Sequence, residues 1–190
     1  MRKRMLAVIL ALAPAAMLSA CSTAVFRGAD AGVTIMDDRR TASAYVADEA
    51  IEIKTSSAFA DAAPGNSRAV FTSFNRRALI TGQVPDEATK AKAAEIARKH
   101  PEVREVFNEL VVGEAASIVR RTQDGFLTTK IKARLLDDDR VGATHVKVVT
   151  ENGVVYLMGM VKQAEAQAAA EIAARTQGVA RVVKVFEYIE

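Results

Sequence analysis

"FTSFNRRALITGQV" (71–84) lies over "VVTENGVVYLMGMV" (148–161) without a gap. Both hold an Asn in the middle, Asn75 and Asn152, and a Gly seven residues later, Gly82 and Gly159. Asn152-Gly153 sits between runs rich in Val, which is a strong signal for a two-residue hairpin turn. The chain therefore writes one β-hairpin twice. A Gly inside the second strand predicts either a bulge or a place where a helix backbone comes close.

Self-similarity extends in both directions. Downstream, "AAEIARKHPEVREVFNEL" (93–110) lies over "AAEIAARTQGVARVVKVF" (169–186), with Ala-Glu-Ile-Ala in register. Upstream, "AIEIKTSSAF" (50–59) lies over "FLTTKIKARL" (126–135). The offset is 76 residues for the helices and 77 for the hairpin, a difference of one loop residue. In the second copy Asp124 reads as the N-cap of a helix over 126–136, with Leu127, Ile131 and Leu135 on its core stripe. Ala169, Ile172 and Ala173 give the next helix a narrow apolar stripe that Gly178 ends. Each copy reads α-β-β-α-β, and the expected fold is α+β: two tandem units, each a three-stranded sheet with two helices on one face. The boundaries read as 1–20 for an N-terminal signal, 21–43 for a tether, 44–113 and 122–190 for the two units, and 114–121 for a linker.

The segment Val155 to Val161 and the run from Gly178-Val179 to Val182 resemble the BON domain, and "VREVFNEL" (103–110) resembles its end in the first copy. Arg76 replaces the turn Gly in that copy, and Lys184 stands where Asn108 does.

The N-terminus reads as a targeting segment. Arg2, Lys3 and Arg4 precede an uncharged run of 14 residues, Met5 to Leu18. That run fits a secretory h-region and is too short to span a bilayer. Leu18-Ser19-Ala20-Cys21 follows, and Cys21 is the single cysteine of 190 residues. It has no disulfide partner within the chain, which leaves a free thiol or lipidation. The tetrapeptide is similar to the lipobox of bacterial lipoproteins, whose Cys is acylated. Ser22 follows it rather than Asp, which in that family implies the outer membrane and a periplasm-facing protein. The tether would reach at most ~75 Å fully extended. Removing the signal takes three of the 26 basic residues and none of the 23 acids, so the remainder is electrically balanced. Nothing in the bulk charge points to nucleic acid.

Together, a lipobox and two BON-like repeats resemble the DolP (YraP) family of outer-membrane lipoproteins over nearly the whole chain beyond the signal.

No enzyme signature stands out, and no cofactor is expected. His100 and His145 lie in different repeats without a Cys or His at metal spacing and read as surface residues. Asp137, Asp138 and Asp139 read as a solvated loop closing a helix rather than a cation site. The remaining reading is a binding protein.

The two copies differ on their first helix. Phe126, Lys130 and Arg134 share a line at i, i+4, i+8, where the first copy has Ala50, Lys54 and Ala58. An aromatic followed by two cations suits an anionic membrane surface. The alternative is a Phe126 staple folded onto the domain beside two solvated cations. The family resemblance implies anionic phospholipid binding through this helix, with Phe126 at the family's aromatic position. A rival expectation is a docking module for the outer-membrane protein assembly machinery, using strand edges or "SIVRRTQ" (117–123).

Overall fold

A buried aspartate on the first helix of each repeat reaches across and holds that repeat's hairpin turn. A computed structural model describes residues 38–190, and the signal segment, Cys21 and most of the tether lie outside them. The elements are α1 (Ala42–Ala62), β1 (Arg68–Phe74), β2 (Arg77–Val84), α2 (Glu87–Lys99), β3 (Glu105–Asn108) and β4 (Val111–Val112) in the first repeat. The second repeat has α3 (Ile118–Leu136), a 3-10 turn (Ala143–His145), β5 (Val146–Glu151), β6 (Val154–Val161), α4 (Gln163–Ala174) and β7 (Arg181–Tyr188). The α+β fold of two small sheets and four helices is the one the repeats predict.

Both hairpin turns carry left-handed residues in pairs: Asn75 and Arg76 at φ 50° and 63°, Asn152 and Gly153 at φ 51° and 75°. This is the primed turn that matches strand twist, and Arg76 adopts it without being glycine. The turn amides are what make it hold. Asp48 accepts from the N–H of Asn75 (2.8 Å) and of Arg76 (2.7 Å), and Asp124 accepts from Asn152 and Gly153 (both 2.8 Å). Asp124 therefore does not cap α3. It lies inside the helix, which starts at Ile118 after Ser117, whose hydroxyl accepts from the Arg120 N–H at 3.2 Å. The helix so takes in the last residues of the stretch read as linker. Gly82 and Gly159 are constrained by their own hairpin partners, not by a helix. A Cβ there would sit 2.1 Å from the Arg68 carbonyl oxygen and 2.2 Å from that of His145.

Within each repeat β1–β2 and β5–β6 pair antiparallel, and the returning strand adds in parallel. In the second sheet that strand, β7, runs unbroken along β6 from Arg181 to Tyr188. In the first it breaks into β3 and β4, so the expected simple three-stranded sheet is interrupted there. Asn108 explains the break: its amide donates to the Lys90 carbonyl (2.8 Å) and accepts from the Leu110 N–H (3.3 Å), folding the strand toward α2. Lys184 cannot accept such a bond, and β7 stays straight. Leu110 turns into the first core, beside Phe59, Phe71, Ile80, Val84 and the α2 alanines. The second core joins Leu127, Ile131 and Leu135 to Val148, Leu157, Ile172 and Phe186. Helix α4 stops at Ala174, and Gly178 lies in the turn beyond, at φ 104°.

The faces away from the helices close on each other. Phe74 and Leu79 of the first sheet form one buried cluster with Tyr156, Met158 and Val185 of the second. Burial of the Tyr156 hydroxyl pushes its pKa up to about 12. Polar ties ring this contact. Arg68 holds Glu151 with two bonds of 2.8–2.9 Å, and Gln83 donates to the same carboxylate at 2.8 Å. Asn75 donates to Glu187 (2.7 Å), and Lys147 donates to Glu52 (2.8 Å) and to the Ser73 carbonyl (3.1 Å). Arg39, at the entry of the chain, forks onto Glu165 (2.6 and 2.9 Å) and donates to the Met160 carbonyl (2.9 Å). Residues Arg39–Glu190 are one compact body. All three apolar clusters lie inside it, so it holds everything a folding unit needs.

Two consequences can be measured. Asp124→Ala strips a buried acceptor from two turn amides and is expected to lower stability by about 3 kcal/mol in urea denaturation, with Asp124→Asn losing less. A change within experimental error would show that the turn holds itself. The second concerns acid. The hydrogen bond from Arg39, then those from the Lys162 amide and His145, hold the Glu165 carboxyl near pH 2 instead of its ordinary 4.5. A depressed carboxylate contributes stability above its unfolded pKa and loses it as pH falls through the folded one. The stability gap between the native chain and Arg39→Ala is therefore expected to close between pH 4.5 and about 2. A gap independent of pH would contradict the pairing.

Candidate membrane-facing site

Helix α3 has 19 residues, so at 1.5 Å per residue it is roughly 28 Å long. Asp124, Leu127, Ile131 and Leu135 are buried on its inner side. The outer side is unusual for an exposed helix. Ile118, Phe126 and Leu136 are 73%, 73% and 72% exposed, and Val119 is 67% exposed. At 3.6 residues per turn these four, with Thr122, Gly125, Thr129 and Ala133, fill about a third of the circumference without a charged residue. The threonines do not make it polar. Thr122 donates its hydroxyl to the Ile118 carbonyl (3.0 Å) and Thr129 donates to Gly125 (3.1 Å), leaving methyl groups outward. Exposed cations border the strip, Arg121 and Lys132 on one side and Lys130 on the other.

Of the three residues read as a phospholipid face, Phe126 and Lys130 stand at this surface. Phe126 is too exposed to be a staple. Arg134 is turned away: its guanidinium donates to the Thr176 hydroxyl at 2.8 Å and is partly buried, joining the end of α3 to the end of α4. The sequence reading missed Ile118, Val119 and Arg121 because it began the helix too late, and Lys132 and Leu136 because it followed only the single i, i+4, i+8 line. Ser117 followed by an apolar pair carried the signal for the earlier start. A groove of about 340 Å³ runs beside the strip, between α3 and Gln177-Gly178, with Phe126 and Lys130 at its edge.

The corresponding helix α1 also exposes apolar residues, Tyr45, Val46 and Ile53. Its charges are opposite in sign, however. Beside the buried Asp48 it carries Glu49, Glu52 and Asp61 against Lys54, whereas beside the buried Asp124 α3 carries Arg120, Arg121, Lys130, Lys132 and Arg134. An anionic surface would attract α3 and repel α1.

Neither histidine is a free surface group. His145 packs against Gly142 and lies 3.4 Å from Glu165, its side chain only 12% exposed. His100 accepts from the Glu102 N–H at 3.3 Å, and its Nε2 is buried. Asp138 is neutralised by Arg140, which donates from its side chain (2.8 and 2.9 Å) and its backbone, holding the carboxyl down to about 2. Among the described residues no cluster of His, Cys, Asp and Glu could hold a metal ion, and no helix is long and apolar enough to cross a membrane.

Two hairpin-and-helix repeats closed on one another define a tandem-repeat α+β protein. The BON domain model matches residues 47–114 and 123–190. The chain is 39% identical to the outer membrane lipoprotein DolP of Haemophilus influenzae over 175 residues, 91% of each chain. It is 36% identical to a 21 kDa hemolysin of Actinobacillus pleuropneumoniae, covering 80% of each. It is 33% identical to osmotically-inducible protein Y of Escherichia coli, over 73% of this chain and 71% of that one. The chain belongs to the dual-BON family that includes DolP.

Proposed function

We propose that this chain is a lipoprotein of the outer membrane, anchored through Cys21 and facing the periplasm, whose α3 lies on anionic phospholipid and so supports the integrity of the envelope. The relative DolP, an outer membrane lipoprotein by name, supports the location. The match between Leu18–Cys21 and a lipobox supports the anchor. The observation that carries the binding reading is the uncharged outer strip of α3, bordered by Arg121, Lys130 and Lys132. It is a site for holding a surface, and the reading assigns the chain no catalysis.

Magnitudes fit a tethered protein. Fully burying one large apolar side chain is worth about 1.5–3 kcal/mol, and each cation near an anionic leaflet adds roughly 1 kcal/mol. Ile118, Val119, Phe126 and Leu136 enter an interface only partway. Offset by lost motion, the net is on the order of 5 kcal/mol, an affinity near the millimolar range. A free protein would stay in solution. Anchoring through Cys21 would supply an effective concentration of about that order, so the helix would be seated for much of the time.

Sedimentation with vesicles of phosphatidylcholine, with and without phosphatidylglycerol, tests this on the chain from Ser22 to Glu190. Binding is expected with phosphatidylglycerol, to weaken with added salt, to drop about fivefold in Lys132→Gln and to be lost in Phe126→Ala. Equal partition onto both vesicle types, or unchanged binding in Phe126→Ala, would refute the reading.

A further inference from the structure

A second cavity opens where the two repeats meet, between α1 of the first and the end of α3 of the second. Its volume is about 430 Å³, within the range of small-molecule sites. Phe74, Leu135 and Val146 give it a buried apolar floor. Its walls are braced. Arg40 donates to Asp48 at 2.8 Å while its guanidinium lies 4.1 Å from the centre of the Phe74 ring and 4.9 Å from that of Tyr45. Lys147 is engaged by Glu52 and the Ser73 carbonyl. Two lining charges remain uncommitted. Glu49 on α1 and Lys132 on α3 are both exposed, and among the described residues neither has an ion pair or side-chain hydrogen bond.

An uncommitted carboxylate on one wall and an uncommitted ammonium on the other select by sign. A purely anionic ligand would face Glu49 and a purely cationic one Lys132, each at a desolvation cost without a partner. A zwitterion with an apolar tail satisfies both walls and the floor. The position of the mouth narrows the source. Leu136, 72% exposed, borders this cavity and also ends the outer strip of α3. A cavity whose rim is continuous with a membrane-facing surface opens at the headgroup level.

We propose that this cavity binds one zwitterionic aminophospholipid, its phosphate at Lys132, its ammonium at Glu49, and the start of its acyl chains over Phe74, Leu135 and Leu136. The choice of a lipid rests on reading α3 as the membrane face. The site itself does not involve Phe126. The chain would then touch two lipid classes at once, an anionic surface along α3 and a single zwitterionic molecule at its end.

The probe is dihexanoyl-phosphatidylethanolamine, kept below its micelle concentration and titrated into the Ser22–Glu190 chain. Backbone NMR shifts report on it, with dihexanoyl-phosphatidylglycerol, phosphoethanolamine and inorganic phosphate run in parallel. Saturable shifts at Tyr45, Glu49, Leu135 and Leu136 are expected with the ethanolamine lipid and are expected to survive in Phe126→Ala. Glu49→Gln should weaken that lipid about tenfold and strengthen the glycerol lipid, which then no longer faces a carboxylate, while Lys132→Gln should weaken both. Both side chains are exposed, so neither change endangers the fold. Shifts of equal affinity with the glycerol lipid would overturn the zwitterion assignment. Equal affinity for phosphoethanolamine or phosphate would overturn the lipid assignment. No shifts in the cavity, in a chain that still sediments with anionic vesicles, would overturn the site and leave the α3 reading standing. Cavity shifts in a chain that ignores vesicles would do the reverse.

Discussion

The contact between the two sheets is the constraint on which the rest of the molecule depends. A BON-type repeat covers one face of its sheet with two helices and leaves the other bare. Here each bare face is the cover for the other, through Phe74, Leu79, Tyr156, Met158 and Val185. The contact explains why β6 is apolar on both faces: Val155 and Leu157 go to the helices, Tyr156 and Met158 to the other repeat. It also explains the ring of crossing polar ties, in which Glu151, at the position Phe74 occupies in the first copy, is fully paired by Arg68 and Gln83. Because both sheet faces are used up, the helices are the surfaces left for binding.

Within that frame the copies keep the same turn and close-approach devices and diverge in the break of the first returning strand and in the charge of their first helices. Asp48 and Asp124 hold equivalent turns, and Gly82 and Gly159 make equivalent close approaches. The helices α1 and α3 carry net charges of opposite sign. The first repeat supplies the second with a cover for its sheet and a wall for the inter-repeat cavity, while Arg39, just ahead of it, forks onto Glu165 of the second. That gives it a role without a lipid face of its own.

Much of this was legible in the sequence. The repeat, the order of elements, the paired turns at Asn75 and Asn152, and the core stripe of Leu127, Ile131 and Leu135 follow from local chemistry and periodicity. Other features are not local. Asp124 resembles a helix cap in sequence, and only the 76-residue offset to Asp48 hints at a shared long-range task. Mistaking it for a cap shortened α3 by two turns and hid Ile118, Val119 and Arg121 from the candidate site. Arg134 looked like part of the outward line because i, i+4, i+8 spacing was read as one straight row, whereas each step drifts about 40° round the helix, and the Arg134 bond to Thr176 depends on where α4 ends. Sheet-on-sheet packing was encoded in the two-sided apolar pattern of β6. His145 is held by Glu165 across 20 residues of sequence, which no spacing rule foretells.

The central claim is that the whole outer strip of α3, and not Phe126 alone, lies in the membrane interface. The most direct measurement is depth-dependent fluorescence quenching by brominated lipids in phosphatidylglycerol-containing vesicles. It uses single tryptophans at Ile118, Phe126 and Leu136 in turn, and the native chain has no tryptophan to interfere. The account predicts quenching of all three at a similar shallow depth, as for a helix lying flat. Quenching confined to Phe126→Trp, or absent from all three, would contradict it.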